Sequence, residues 1–440
     1  MGDDVRLHDR EYSRRELARL AGDLAAVGGV RAVTLDDGSE RGLRCLEFRT
    51  GGGLRFEVLV DRAMDIGVAE FDDCTVGWRS PTGFRNPALH DHADEAGLSW
   101  LRSMSGLIVT AGLDHTLFGG EFDAAHFNYP PKVTVRHGLH GRIANIPARL
   151  TGYGEHWRDE YSCVLWAEGE VRQAAIFGEH LRLRRRIEAD LGGTTIRLTD
   201  TVTNAGFDRT PHMFLYHINA GWPLIDEDTI FDARINSTQW QSDSVADQGV
   251  SHLKMPQPQP NFVEQVFELD LHPDPDGRTR ARLTNNRLSR FFELNYDQAA
   301  FPAFFQWLNL REGSYAVALE PSTHHVGGEG PARQDGTMIW LDHGETRQYH
   351  TEFHFGRISR PVGVPRQSKT LDAPLQPVSP GVTPRVGQDG LRTASSLDIR
   401  SERSPPRNDG IVPILVAEGL RLIRSPVPRI IRNAIHRRVG

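Results

Sequence analysis

Two residues in this sequence have the type and setting of a general acid and base. Glu320 closes the apolar run YAVALE, and His217 lies within PHMFLYHINAGWP. An imidazole trades a proton near neutrality, and partial burial lifts a carboxyl toward the same range. The chemistry expected of them is proton transfer, with Glu320 as base and His217 as acid. Both read as strand ends. Alternation along a strand puts Leu215, His217 and Asn219 on one face and Phe214, Tyr216 and Ile218 on the other. In YAVALE it puts Ala316 and Ala318 beside Glu320, which leaves space for something flat, such as a ligand. A buried carboxylate needs a partner, water or a task, because desolvation of an isolated charge is costly.

Other polar residues sit in dense, glycine-rich segments. SMSGLIVTAGLDHTLFGG carries Asp114 and His115, and HGLHGRIANIPA carries His137, His140, Arg142 and Asn145. Asn219 and Trp222 follow His217. Arg142, His140, Asp114, His115 and Asn219 are candidate contacts for a hydroxylated ligand, and Trp222 or Trp78 suits the apolar face of a sugar. A metal centre is the chemical rival, with His137, His140 and His324 as alternative ligands. Their spacing matches no zinc motif, so no metal and no other cofactor is expected. Gly51–Gly53 lacks the Lys-Ser or Lys-Thr of a phosphate loop, no GxSxG elbow occurs, and Cys163 reads as a core thiol.

These groups must be held by strands. LRCLEFR (43–49) and LRFEVLV (54–60) flank a glycine-rich turn, and HLRLRRRIEA with TTIRLTDTVT forms a second hairpin. In that hairpin Leu181, Leu183 and Ile187 face inward and the arginines face water. Further runs at 262–271, 290–296, 315–320 and 347–355 follow, with no regular helix between strands, so βαβ architecture is not expected. The fold expected is mainly β: a large two-layer antiparallel sandwich over residues 31–358. A short N-terminal helix precedes it within 1–30, where Leu17, Leu20 and Leu24 would share one side before Gly28 and Gly29.

Of the 440 residues, 51 are Lys or Arg and 58 Asp or Glu, a net charge of -7. The charge is uneven: residues 361–440 hold 13 basic and 6 acidic residues and 11 of the 26 prolines. An acidic body argues against nucleic acid as a partner. The tail, 359–440, reads as proline-rich, basic and mostly disordered, with scope for a weak membrane or protein contact. Three scattered cysteines, no transmembrane run and no signal-like start point to a cytoplasmic protein, monomer or homodimer.

YHINAGWP, ALEPSTHH and HGRIAN together resemble segments of the aldose 1-epimerases (galactose mutarotases). DRAMDIG (61–67), TAGLDHTLFGG and HGLHGRIANIPA are similar to an uncharacterised bacterial branch classed with them. The resemblance implies the galactose mutarotase-like supersandwich. It also implies a small carbohydrate as partner, no cofactor, His217 as general acid, Glu320 as general base, and His140 and Arg142 near the sugar hydroxyls. Interconversion of sugar anomers is the activity implied. A sugar isomerase or lyase on the same scaffold, and a carbohydrate-binding protein without catalysis, are the alternatives.

Overall fold

Apolar and polar residues alternate through most of the chain, and the strands follow that alternation. The computed structural model describes residues 4–248 and 251–358. Three large antiparallel sheets dominate. The first has five strands, Gly29–Thr34, Arg44–Arg49, Leu54–Leu59, Asp65–Phe71 and Cys74–Thr75. The second has eight, with His180–Asp190, Thr195–Asn204, Thr346–Arg357 and Arg290–Asp297 adjacent at its centre. The third has six, in the order Ile235–Gln241, Gln265–Leu271, Ala303–Arg311, Ser314–Ser322, Met213–Gly221 and Ile108–Leu113.

The eight- and six-stranded sheets share one apolar core. Leu181, Leu183, Ile187, Ile196, Leu198 and Val202 enter it from one, and Phe214, Tyr216, Ile218, Val317 and Leu319 from the other. This is the expected mainly β, two-layer arrangement. Burial at about 25 cal/mol per Å² of apolar surface is what holds such layers together. Strand alternation also explains the solvent side: Arg184 pairs with Glu168 and Arg186 with Glu188 across or along the exposed face. Arg185 departs from the expected wet face. It shares parity with Leu183 and Ile187, so its side chain goes inward and is held there by Asp65 and Asp200.

The N-terminal helix is shorter than its apolar pattern. It runs Arg14–Ala21, opened by a Ser13/Glu16 capping box and stopped at Gly22, whose φ is 71°. Leu17 packs with Val5, Leu7, Cys163 and Leu191, while Leu20 is exposed and Leu24 falls in a separate 3₁₀ turn. Cys163 is buried, as its apolar strand suggests. Among the described residues no helix is long and apolar enough to cross a membrane. The proline-rich tail lies outside the described residues.

Candidate active site

His217 and Glu320 sit on neighbouring strands of the six-stranded sheet, Met213–Gly221 and Ser314–Ser322. Both lie inside their strands rather than at the ends, because pairing continues past them to Gly221 and Ser322. Their side chains meet: His217 Nε2 is 3.2 Å from Glu320 Oε1, and both groups are almost wholly buried. Glu320 Oε1 has no hydrogen-bond partner among the described residues.

The tautomer of His217 follows from its neighbour. Asn219 Nδ2 donates to the Gly106 and His217 carbonyls, which leaves Oδ1 to accept from His217 Nδ1–H at 2.6 Å. Nε2 of the neutral ring therefore turns its lone pair toward Glu320. Burial pushes His217 down to about 3 and, aided by the Glu264 carboxylate, pushes Glu320 well above the usual carboxyl range. Burial thus disfavours the charged form of each, so the pair resists holding imidazolium and carboxylate together.

Aromatic rings enclose the pair. Trp100, Trp307 and His140 lie with ring centroids 5.3, 5.4 and 5.7 Å from that of His217. Trp307 comes from the adjoining strand Ala303–Arg311, where it faces Ala318. The room that Ala316 and Ala318 leave beside Glu320 is thus partly filled by the chain's own indole. Trp307 Nε1 donates to Glu264 at 2.7 Å, whereas Trp100 Nε1 and His140 Nδ1 have no partner among the described residues. Gly141 makes the approach of His140 possible. Its φ is 75°, and a Cβ there would lie 2.5 Å from the Gly112 and His115 carbonyls. The loop is zipped to the strand Ile108–Leu113 by Gly112 N–H to His140 O and Arg142 N–H to Gly112 O. His140 itself has a φ of 58°, a left-handed backbone that costs a non-glycine residue about 1–3 kcal/mol.

The other expected contacts are distributed differently. Asn219 is engaged in orienting His217. Arg142 donates to Glu179 and to the Arg136 carbonyl. Asp114 accepts from Gln173, and His115 approaches Glu329 at 2.7 Å. Trp222 is 70% exposed, and the rings beside His217 are Trp100 and Trp307 instead. The alternative metal set separates: His137 lies against His115, His140 against Trp100, and His324 bonds Thr323 Oγ1. The described cluster able to hold a metal is His115, His137 and Glu329, in which only His137 belongs to that expected set. The reason is that the 137–140 segment leaves its strand at His137, so the two histidines diverge.

Sequence reasoning passed over Trp100, Trp307, Glu329 and Arg62. Arg62, in DRAMDIG, is buried with Nε and Nη1 unpartnered among the described residues, and Nη2 donates to the Ser103 carbonyl. Ser103 also receives Asn145 Nδ2 at its hydroxyl and follows Trp100 by three residues. A charged residue fixed between strand and apolar turn was the available signal.

The fold is that of the galactose mutarotase and aldose 1-epimerase-like superfamily. The chain belongs to the family described as a domain of unknown function (DUF4432), which matches residues 40–355. A candidate aldose 1-epimerase from Klebsiella pneumoniae subsp. pneumoniae is similar at 21% identity with a TM-score of 0.66, over 74% of this chain and 83% of that one. A galactose mutarotase-like protein from Clostridium acetobutylicum is similar at 12% identity and a TM-score of 0.52, over 75% and 98%. No curated protein matches the chain.

Proposed function

We propose that this protein interconverts the anomers of a sugar through His217 and Glu320. The observation that supports this most is the 3.2 Å approach of Nε2 to an unpartnered carboxyl oxygen inside an aromatic enclosure. The anomeric and ring oxygens of a pyranose are carried by the same carbon, so adjacent groups on one side of the sugar can serve both.

The pair holds one proton throughout. With the cyclic sugar bound, the proton crosses from Glu320 to His217, giving carboxylate and imidazolium. Glu320 then takes the anomeric hydroxyl proton while His217 gives its proton to the ring oxygen, and the C1–O5 bond breaks. The open aldehyde is thereby held by a neutral carboxyl and a neutral imidazole, the state that burial favours. Rotation about C1–C2 and the reverse transfers close the other anomer. Positioned proton transfer of this kind contributes ~10²–10⁴-fold. Asn219 keeps Nε2 aimed at the reacting oxygens, and Trp307 and Trp100 supply apolar faces for the ring. Because the pair is buried among Trp100, Trp307 and His140, sugar entry requires part of this enclosure to move.

A second reading, a different sugar isomerisation or a lyase reaction on the same scaffold, is favoured by the separate His115, His137 and Glu329 cluster, which mutarotation does not use. Proton NMR of a panel of neutral aldoses and ketoses with the protein distinguishes the readings. Faster anomer exchange supports the first and new product resonances the second. Line broadening without turnover supports carbohydrate binding alone.

A further inference from the structure

Away from the His217 and Glu320 pair, three segments bring nitrogen and oxygen donors to one buried point. His115 follows the strand Ile108–Leu113, His137 ends the strand Thr134–His137, and Glu329 opens the short helix Glu329–Asp335. One ligand atom from each lies within 4.8 Å of the others, and all three residues are buried.

The hydrogen bonding at this point is unfinished in a specific way. His115 Nε2 faces the Phe118 carbonyl at 3.0 Å, so it carries the proton and donates. The lone pair of Nδ1 then faces Glu329 Oε2 at 2.7 Å, two acceptors with nothing between them unless one gains a proton. His137, whose side chain is 1% exposed, has no hydrogen bond at either nitrogen among the described residues. Its Nε2 looks toward the same Glu329 oxygen at 3.9 Å, and its Nδ1 looks toward Asp114 Oδ2 at 3.9 Å. The remaining Glu329 oxygen lies 2.7 Å from Arg333.

We propose that His115 Nδ1, His137 Nε2 and Glu329 Oε2 bind one divalent cation of the zinc class. The donor set, two imidazoles and a carboxylate, is one that zinc takes with a fourth position left to water. The surroundings match what such ligands need. A liganding imidazole donates its other N–H to a carbonyl or carboxylate, which fixes ring and tautomer. Phe118 O does this for His115, and Asp114 Oδ2, 3.9 Å from His137 Nδ1, must close on that nitrogen to do it for His137. Arg333 lies at ion-pair distance from the oxygen of Glu329 that the cation leaves free. The cation replaces the missing proton between His115 and Glu329 and gives His137 its partner.

Binding carries one structural requirement. The two imidazoles are now parallel, at 7° with centroids 4.7 Å apart, and a cation must lie in the plane of both. His137 has no hydrogen bond holding it in the stack, so it is the ring that turns. Ligand distances of about 2.0–2.2 Å then follow from small closing movements. Bound there, the cation ties the 114–118 loop, the end of the 134–137 strand and the 329–335 helix together.

The test uses the full chain, without a polyhistidine tag, stripped with chelator and exchanged into metal-free buffer. Zinc chloride titration followed by desalting and elemental analysis should leave about one zinc per chain. Cobalt chloride should give ligand-field bands of an imidazole and carboxylate site. His137→Ala and Glu329→Gln should each retain less than a tenth as much zinc, and Asp114→Asn should bind about 10–100-fold more weakly. Glu320→Gln should retain the full zinc, which separates this site from the proposed catalytic pair. Should His137→Ala fail to fold, wild-type stoichiometry with Glu329→Gln and Asp114→Asn decides. Wild-type protein that keeps under a tenth of an equivalent, or variants that keep as much as wild type, overturns the proposal.

Discussion

Tyr216 and His217 are consecutive residues of one strand, and their side chains enter opposite kinds of buried polar assembly. Tyr216 donates to Asp200, which with Asp65, Thr110 and the Ala63 carbonyl takes every N–H of the Arg185 guanidinium. Asp65 in turn accepts from the Thr110 backbone and hydroxyl. His217 enters the other assembly, where Glu320 Oε1, Trp100 Nε1 and His140 Nδ1 have no partner among the described residues. Burial is equally deep on both sides. A satisfied buried network is finished as structure, and its charges serve the fold. An unsatisfied one leaves donors and acceptors for something else, at a cost in stability that a purely structural site would not retain.

Substitutions on the two sides should therefore fail in different ways. The largest effect expected is on turnover: His217→Asn and Glu320→Gln should each lower anomer interconversion by ~10²–10⁴-fold. Their urea midpoints should match or exceed wild type, measured by circular dichroism. Asp200→Asn should do the reverse, costing about 3–5 kcal/mol of stability because Arg185 loses its main partner, while the folded fraction keeps its activity. A stable Asp200→Asn or an unfolded Glu320→Gln breaks the comparison.

Smaller effects sharpen it. Trp307→Phe removes an indole face, and its sugar KM should rise about 2–10-fold, as the loss of ~0.5–1.5 kcal/mol of aromatic contact dictates. Initial rates at varied sugar concentration measure this. Tyr216→Phe deletes one satisfied hydrogen bond and should cost about 1 kcal/mol in urea unfolding, with kcat unchanged.

The pH profile tests the proton count with the smallest expected change. Lowering His217 to about 3 and raising Glu320 keeps one proton on the pair from the acid side up to the carboxyl's raised value. Activity should thus show no acid limb between pH 7 and 5, where a free imidazole gains its proton, and should fall on the alkaline side as Glu320 loses its proton. An acid limb within that window, in protein still folded by circular dichroism, contradicts the assignment.

Much of the fold was legible because period-two alternation is written locally. The 43–49, 54–60, 290–296 and 347–355 runs coincide with strands to within about two residues, and the inward set in 180–190 was read correctly except for Arg185. That exception is instructive. Parity pointed Arg185 inward, but charge argued for water, and its compensating partners lie 15 and 120 residues away. The same distance hid the enclosure. The type and face of His217 and Glu320 are local properties, and so they could be read. Trp307 reaches the pair only through strand pairing with Ala318, and Trp100 only through a loop. Glu329 meets His115 across 214 residues, with no periodic pattern to announce it. The expected partners Asp114, His115 and Arg142 were recognised as unusual, but they are drawn to Gln173, Glu329 and Glu179 rather than to His217.

The most direct test of the proton-sharing pair is magnetisation transfer between the two anomeric proton resonances of a responsive sugar. Measured with wild type, Glu320→Gln and His217→Asn at equal concentration of folded protein, exchange should be fast with wild type and fall to the uncatalysed rate with either variant. Undiminished exchange in either variant contradicts the account.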